Sequence, residues 1–182
     1  AVLAAIDIVV QAEHGPNGLA WLVTWDDEVA DRVTAEVTRI VEDSPRRAEV
    51  ESTLAEGGYA VVCEGPEQAI AVANAIAPEH LELITADPEA LLSLVRHAGA
   101  VFIGPHAPAS VGDYLAGPNH VLPTDGSARF SGALRVDDFL KHIHVVSLDA
   151  AGLARLGPHV VALAEAEGLT AHADSVRMRT SG

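Results

Sequence analysis

The sequence predicts an α/β protein, with an incomplete Rossmann-like parallel sheet, flanking helices and a helical C-terminal arm. Short apolar runs alternate with stretches of helical period along residues 2–104. This alternation is typical of parallel strands joined by crossover helices. Hydrophobic residues make up 49% of the 182-residue chain and aromatic residues only 4%, which favours layered α/β packing over an aromatic-rich sandwich.

The predicted elements follow one another closely through the first hundred residues. A Gly-Pro-Asn-Gly turn (15–18) ends the first helix, and Asp26 is of a type that caps the start of a long amphipathic helix. In chain order we expect a helix over 2–14, a strand over 19–24, a helix after Asp26 that Pro45 interrupts, a helix over 46–56, a strand over 59–63, a helix over 67–77, a strand over 80–85, a helix over 88–98 and a strand over 100–104.

The remainder of the chain changes in character after Gly104. Residues 105–135 are rich in Gly, Pro, Asn, Ser and Asp and have no sustained periodicity. A loop of this length in a compact domain is usually functional, or else a mistaken assignment. A helical pattern returns from Val136 in VDDFLKHI, over 149–167 and in a final short helix. We therefore expect a partial α/β domain over 1–134 and a dimer-exchanging helical arm over 135–182.

Composition excludes several classes of partner. Eleven Lys and Arg against 26 Asp and Glu give a net charge of −15, which argues against nucleic acid and anionic membranes because both attract basic clusters. Cys63 is the single cysteine and lies in an apolar run, so a buried, inert thiol is expected. Neither a membrane span nor a signal peptide is visible, and we expect a cytoplasmic protein. Because the sequence begins at Ala1 within a helical pattern, we also expect a fragment of a longer chain.

The segment QAEH contains the first pair of candidate metal ligands. Gln11 and His14 stand three residues apart, so on a helix they project from one face and can reach one ion. Glutamine is an uncommon zinc ligand beside His, Cys or a carboxylate. Taken alone, a histidine at the end of a helix is more often a surface or capping residue.

Glu79 and His80 lie at the start of a predicted strand, after Pro78. Sites in open α/β sheets cluster outside the carboxyl ends of the strands, and a histidine there can act as a general base near neutral pH. The plainer interpretation is an exposed glutamate beside a packed histidine, and this dipeptide alone favours it.

Asp113 and His120 lie in the Gly/Pro-rich region, in VGDYLAG and GPNHVLPT. Asp113 is a hard oxygen donor, and Gly112 and Gly117 permit close approach of the backbone. The same residues are also typical of an ordinary turn, so both interpretations stay open. His172 is a further donor in the helical tail, which either folds back or reaches another subunit. No nucleotide-binding glycine loop and no GxSxG elbow is present.

Taken together, these motifs resemble one family in order and approximate spacing. The segments that match are QAEH (11–14), APEHLEL (77–83), DPEALL (87–92), AGAVFIG (98–104), GDYLAGPNHVLPT (112–124), ARFSGALRVDDFLK (128–141) and EGLTAH (167–172). On these segments the chain resembles the C-terminal part of histidinol dehydrogenase, a zinc enzyme. The resemblance covers essentially the whole chain, whereas the family's upstream part is absent.

The resemblance implies an activity and a set of roles. Family members oxidise L-histidinol to L-histidine in two hydride transfers to NAD, and most NAD contacts belong to the upstream part. The family functions as a homodimer in which one zinc ligand comes from the partner. The implied roles, all matched to family motifs, are zinc and substrate ligands at Gln11, His14, Asp113 and His172, an acid–base pair at Glu79 and His80 with His80 also at the substrate, and a substrate contact at Glu167.

Two alternatives stay open at the level of sequence. One is a related zinc- and NAD-dependent dehydrogenase for another small polar alcohol, against which Glu167 and His172 in EGLTAH argue. The other is a non-catalytic module for metal binding or dimerisation. Because the chain is truncated relative to the family, we expect the isolated chain to be an inactive fragment.

Overall fold

The computed structural model describes residues 1–180, and the chain divides into two compact units, Ala1–Val136 and Asp137–Gly182. The first unit contains α1 (Val2–Ala12), β1 (Ala20–Thr24), α2 (Asp27–Glu42), α3 (Arg47–Gly57), β2 (Gly58–Val62), α4 (Pro66–Ile76), β3 (His80–Leu83), α5 (Pro88–Leu92), β4 (Ala100–Ile103) and α6 (Ala109–Tyr114). The second unit contains α7 (Ala150–Ala166) and α8 (Thr170–Thr180).

All four strands lie in parallel pairs, which confirms the predicted α/β class. β1 pairs with β2 in the register Ala20 to Gly58, and β3 pairs with β4 in the register His80 to Ala100. Each pair consists of strands consecutive in the chain and joined by helices, as a β-α-β unit requires. The sequence suggested one open sheet, but within residues 1–180 no strand bridges the two pairs, so they form separate two-stranded sheets.

Two apolar clusters form the core of the first unit. The first lies among α1, α2 and α3, and consists of Val9, Ala12, Val41 and Val50 with Val37, Ile40 and Leu54 packed against them. The long helix α2 begins as predicted, because the side chain of Asp26 accepts a hydrogen bond of 3.1 Å from the N–H of Val29. The second cluster lies under the other sheet and consists of Ile70, Leu83 and Leu91 with Leu81, Val95 and Val101.

Alternation along β3 separates an apolar face from a polar one. Leu81 and Leu83 point to the apolar cluster, so His80 and Glu82 point to the opposite face. The register partner of Glu82 on β4 is Phe102, which shares that opposite face. The second sheet therefore presents two ionisable side chains and one aromatic ring on the side away from its core.

Helix α5 is shorter than the sequence predicted, ending at Leu92 rather than near residue 98. The side chain of Asn74 accepts hydrogen bonds from the N–H groups of Arg96 and His97 and donates one to the carbonyl of Leu94. These bonds, 2.7–3.1 Å long, take the backbone groups that further helical turns would need. A side chain from α4 therefore sets the path of the chain into β4.

The Gly/Pro-rich segment contains more structure than its composition indicated. It includes α6 and a 3₁₀ turn at Ser127–Arg129, and the guanidinium of Arg129 donates to the carbonyls of Ala75 and Gly126. The predicted helix from Val136, in contrast, is limited to a 3₁₀ turn, Val136–Phe139. Phe139 and Ile143 are exposed there, so this segment lacks the packing that stabilises a short helix.

The second unit is a pair of packed helices. Asp149 caps α7 by accepting a hydrogen bond of 2.7 Å from the N–H of Gly152. Gly157 of α7 lies against Val176 of α8, where a Cβ would be 3.1 Å from the valine methyl. This pair matches the predicted helical C-terminal arm. Within the described residues, none of the helices combines the length and the apolar character that a membrane crossing requires.

Candidate active site

The site is built around His80 and Asp113, which the fold brings together from distant positions in the sequence. The Nε2 atom of His80 lies 3.4 Å from Oδ1 of Asp113. His80 is the first residue of β3, whereas Asp113 lies on α6. The side chains are 11% and 22% exposed, so the contact is largely removed from water.

The imidazole of His80 is oriented by packing rather than by hydrogen bonds. Its ring centroid lies 5.8 Å from that of Phe102 at an interplanar angle of 45°. Both ring nitrogens are buried, and neither makes a hydrogen bond to any residue among 1–180. Because buried polar atoms normally have partners, an imidazole with two unsatisfied nitrogens is a candidate binding or proton-transfer group.

Gly112 lets α6 approach β4 closely enough to place Asp113. A Cβ at this position would overlap the ring of Phe102. The helix can therefore lie directly on the aromatic ring only because residue 112 has no side chain. As the next residue, Asp113 projects beside the His80 ring that the same Phe102 supports.

The backbone at Glu79 is held in an equally close contact. The carbonyl of Glu79 accepts a hydrogen bond of 2.8 Å from the N–H of Ala100, and the N–H of Gly99 donates to the carbonyl of Pro78 at 2.9 Å. A Cβ on Gly99 would lie 2.6 Å from the Glu79 carbonyl oxygen. The backbone at the start of β3, next to the expected acid–base pair, can pack this closely only because residue 99, just before β4, is a glycine.

The remaining predicted site residues occupy several places. Gln11 is half-buried in the last turn of α1, and His14 is exposed in the turn that follows this helix. Glu167 and His172 are exposed and belong to the second unit, at the end of α7 and in α8. Within residues 1–180, no three His, Cys, Asp or Glu side chains converge in a way that would hold a metal ion. The contact between His80 and Asp113 is the part of the expected site that the fold assembles.

Two carboxyl groups near the site were missed by the sequence analysis. Glu82 accepts a hydrogen bond of 2.9 Å from the N–H of Ala109, and the carboxyl group of Asp7 also influences its pKa. Burial, followed by the contact with Asp7, raises the pKa of Glu82 to about 7. Two signals were available: His80 and Glu82 alternate onto one strand face, and Asp7 is the one charged residue within the apolar helix VLAAIDIVVQA.

The donor set is suitable for zinc in its chemistry. Imidazole nitrogens and a carboxylate are ordinary zinc donors, with the amide of Gln11 as the uncommon member. The carboxylate of Asp113 lies beside an imidazole whose nitrogens have no hydrogen-bond partner among the described residues. The expected ligands therefore suit zinc in their donor chemistry, while His80 and Asp113 are the two expected site residues that the described part of the chain brings into contact.

Comparison with known proteins places the chain in a family. The family model described as histidinol dehydrogenase matches residues 1–180. A histidinol dehydrogenase from Synechococcus sp. is 49% identical over 175 residues, which are 96% of this chain and 40% of that protein. One from Parasynechococcus marenigrum is 46% identical over 97% of this chain and 40% of that protein.

A solved structure agrees with these relatives. The crystal structure of histidinol dehydrogenase from Elizabethkingia anophelis matches with a TM-score of 0.93 and 33% identity, covering 99% of this chain and 41% of that chain. The chain thus spans about two fifths of the length of the proteins it matches. On the strength of the family match and the identity over nearly its full length, this chain belongs to the histidinol dehydrogenase family.

Proposed function

We propose that this chain is the zinc-binding and acid–base portion of a cytoplasmic histidinol dehydrogenase of histidine biosynthesis. The reaction oxidises L-histidinol to L-histidine through the aldehyde, with two hydride transfers to NAD. The observation that supports this proposal most directly is the contact between His80 and Asp113 at the second sheet. His80 has two buried nitrogens without hydrogen bonds among the described residues, and one lies 3.4 Å from Asp113.

The proposed zinc ligands are Gln11, His14, Asp113 and His172, the last from the partner in a homodimer. Family membership supports this set, and the nitrogen and oxygen donors agree with zinc chemistry. When bound, zinc would polarise the substrate's oxygen as a Lewis acid. A neutral glutamine among the ligands would keep the site less negative than a third charged ligand would.

His80 is the proposed general base for the alcohol. An imidazole accepts a proton near neutral pH, and this one has a ring nitrogen free of other hydrogen bonds in residues 1–180. As hydride leaves the carbon, the hydroxyl proton passes to the ring. The carboxylate of Asp113, 3.4 Å from Nε2, stabilises the positive charge that develops on the imidazole.

Glu79 is the proposed base for the second stage. It precedes His80 directly, so one strand start supplies both groups. Its carboxylate would activate the water that adds to the aldehyde, which prepares the second oxidation. Glu167 is the proposed contact to the substrate from the C-terminal arm. We place most NAD contacts in the part of the relatives that this chain does not cover.

A chimera tests this proposal. The chain would be fused to the upstream portion of the Synechococcus relative and assayed for NADH formation from L-histidinol. We expect zinc-dependent activity with two NADH per substrate. His80→Ala should lower turnover by roughly 10²–10⁴-fold, the usual contribution of a general base. His106→Ala, at an exposed histidine, is the matched control and should change turnover little.

A chimera that folds and dimerises but forms no NADH would contradict the proposed activity. Equal turnover in the His80→Ala and His106→Ala variants would contradict the base assignment alone. Circular dichroism and sedimentation of each variant distinguish a misfolded chimera from a folded but inactive one. If the chimera misfolds, a zinc titration of the 182-residue chain tests the proposed metal site instead.

A further inference from the structure

Phe102 contacts both elements that carry the pair of His80 and Asp113. Its ring centroid lies 5.8 Å from that of His80, with the two ring planes inclined by 45°. The edge of the same ring, at Cε1 and Cζ, lies against Gly112, where a Cβ would be 2.7 Å from Cζ. One aromatic side chain of β4 thus touches the histidine of β3 and the backbone of α6 directly before Asp113.

The ring of Phe102 is not part of the apolar core beneath the second sheet. Among the described residues, neither apolar cluster includes Phe102, whereas the preceding residue, Val101, packs against the cluster under this sheet. Successive side chains of a strand point to opposite faces, so Phe102 points to the face that carries His80 and Glu82. Its surroundings are therefore those of the proposed site.

Helix α6 rests on the second sheet at two points, one helical turn apart. The N–H of Ala109 donates a hydrogen bond of 2.9 Å to Oε1 of Glu82, and Gly112, three residues later, lies against the ring of Phe102. Glu82 and Phe102 are register partners on β3 and β4, so one cross-strand pair supports both points. A helix of six residues is unstable by itself, so its position depends on these contacts.

The placement of Asp113 relative to His80 follows from the shape of this ring. The ring limits how closely α6 can approach β4 at residue 112, and Asp113 is the next residue. Neither nitrogen of the His80 imidazole makes a hydrogen bond among residues 1–180 that would fix its orientation. Tilted contacts between aromatic rings at this separation are favourable, so the contact with Phe102 can fix it instead.

We propose that Phe102 is a positioning residue for the oxidation, whose ring sets the separation and orientation of the His80 imidazole and the Asp113 carboxylate. The proposal rests on the proposed function, in which His80 is the general base and Asp113 a zinc ligand. Phe102 has no group that exchanges a proton or binds a metal, so it acts through the two residues. A misplaced base slows the chemical step more than it weakens substrate binding, so a changed ring should lower kcat rather than raise KM.

Two substitutions alter the ring in different ways. Phe102→Leu removes Cε1 and Cζ but keeps an apolar side chain, whereas Phe102→Tyr keeps the ring and adds a hydroxyl at Cζ, beside Gly112. In the chimera with the upstream portion of the Synechococcus relative, we expect each to lower kcat for NADH formation by about 10–100-fold, with KM within about threefold of wild type. Val101→Ala, on the opposite face of the same strand, is the control. It should lower the urea midpoint of unfolding and leave kcat within about twofold.

Gly112→Ala tests the contact from the side of the helix. Its methyl group would overlap the ring edge in wild type, and we expect kcat to fall by about tenfold or more. In the Phe102→Leu background those ring atoms are gone, so the same substitution should change kcat by at most about twofold. Val111→Ala, at the neighbouring residue of α6 that is 46% exposed, should have the same small effect in both backgrounds. A side chain that only stabilised the fold would not produce this dependence in kcat.

A spectroscopic measurement on the 182-residue chain needs no activity. The ring current of Phe102 should shift the C–H resonances of the His80 imidazole, because the two rings are close and tilted. Those resonances are identified by their loss in His80→Gln. We expect Phe102→Leu to move them and Val101→Ala to leave them in place.

Unchanged kcat in folded Phe102→Leu, or additive effects of Phe102→Leu and Gly112→Ala on kcat, would overturn the positioning role. If Phe102→Leu does not fold, the kcat of Phe102→Tyr decides, and a value equal to wild type counts against the proposal. Failure of the proposed function has a different signature. The wild-type chimera then folds but forms no NADH, while the His80 resonances of the chain still move in Phe102→Leu; the contact stands, and its role in the oxidation is refuted together with the function.

Discussion

The two small parallel sheets of the first unit are alike in construction but differ in what lies on their faces. β1 and β2 present Trp21 stacked on Tyr59, with ring centroids 4.2 Å apart. β3 and β4 present His80 and Glu82 beside Phe102. The helices α1, α2 and α3 form an apolar cluster next to the first sheet, whereas the polar face of the second sheet meets α6 through carboxyl, imidazole and backbone groups.

This difference separates packing from chemistry within one fold. Side chains such as Val33 and Val50 are fully buried and apolar, so their substitution should change stability. Groups around His80 are held by specific short contacts, so their substitution should change binding and turnover first. Mutations of similar size should therefore change mainly stability near the first sheet, and mainly binding and turnover around His80.

Gly99→Ala should give the largest effect on the second region. The new Cβ would lie 2.6 Å from the carbonyl oxygen of Glu79, so the backbone of the acid–base pair must shift. A misplacement of about 1 Å costs roughly 100-fold in turnover, and we expect a loss of that order in the chimera with histidinol. Gly132→Ala is the control, because a Cβ there meets only an atom of Arg135 at 3.8 Å. Equal turnover of the two variants would show that the glycine does not position Glu79.

Val50→Ala should give a smaller effect, confined to the first region. Val50 is 0% exposed and belongs to the cluster of α1, α2 and α3. Removing two methyl groups should lower the free energy of unfolding by roughly 2 kcal/mol, as measured by urea denaturation. The zinc affinity of the folded variant should match wild type. Val62→Ala is the control, because this residue is 45% exposed, and it should change neither the free energy of unfolding nor the zinc affinity by much. A loss of zinc affinity in Val50→Ala would show that the two regions are coupled.

Local patterns predicted the regular elements well. The strands around residues 20, 60, 80 and 100 were each short apolar runs bounded by turns, and their parallel pairing is confirmed. Asp26 was predicted as a helix cap and is one. These features depend on residues within a few positions of one another, which a sequence displays directly.

Non-local contacts account for what the sequence did not predict. The early end of α5 depends on Asn74, some twenty residues away. The short helix α6 depends on the fit of Gly112 against Phe102. Asp7 helps to raise the pKa of Glu82 although the two residues are 75 positions apart, a separation over which sequence patterns give no direct signal. The zinc ligands were inferred from family motifs, and their assignment stays a prediction.

Zinc titration of the 182-residue chain and its Asp113→Asn variant tests the central claim most directly, since Asp113 is the proposed ligand that the fold places beside His80. We expect wild type to bind zinc and Asp113→Asn to bind at least about tenfold more weakly, with an unchanged unfolding transition. Asp125→Asn, at an exposed aspartate of the following loop, should match wild type. Absence of zinc binding by the wild-type chain, or equal affinity in the Asp113 and Asp125 variants, would contradict a metal centre at this corner of the second sheet.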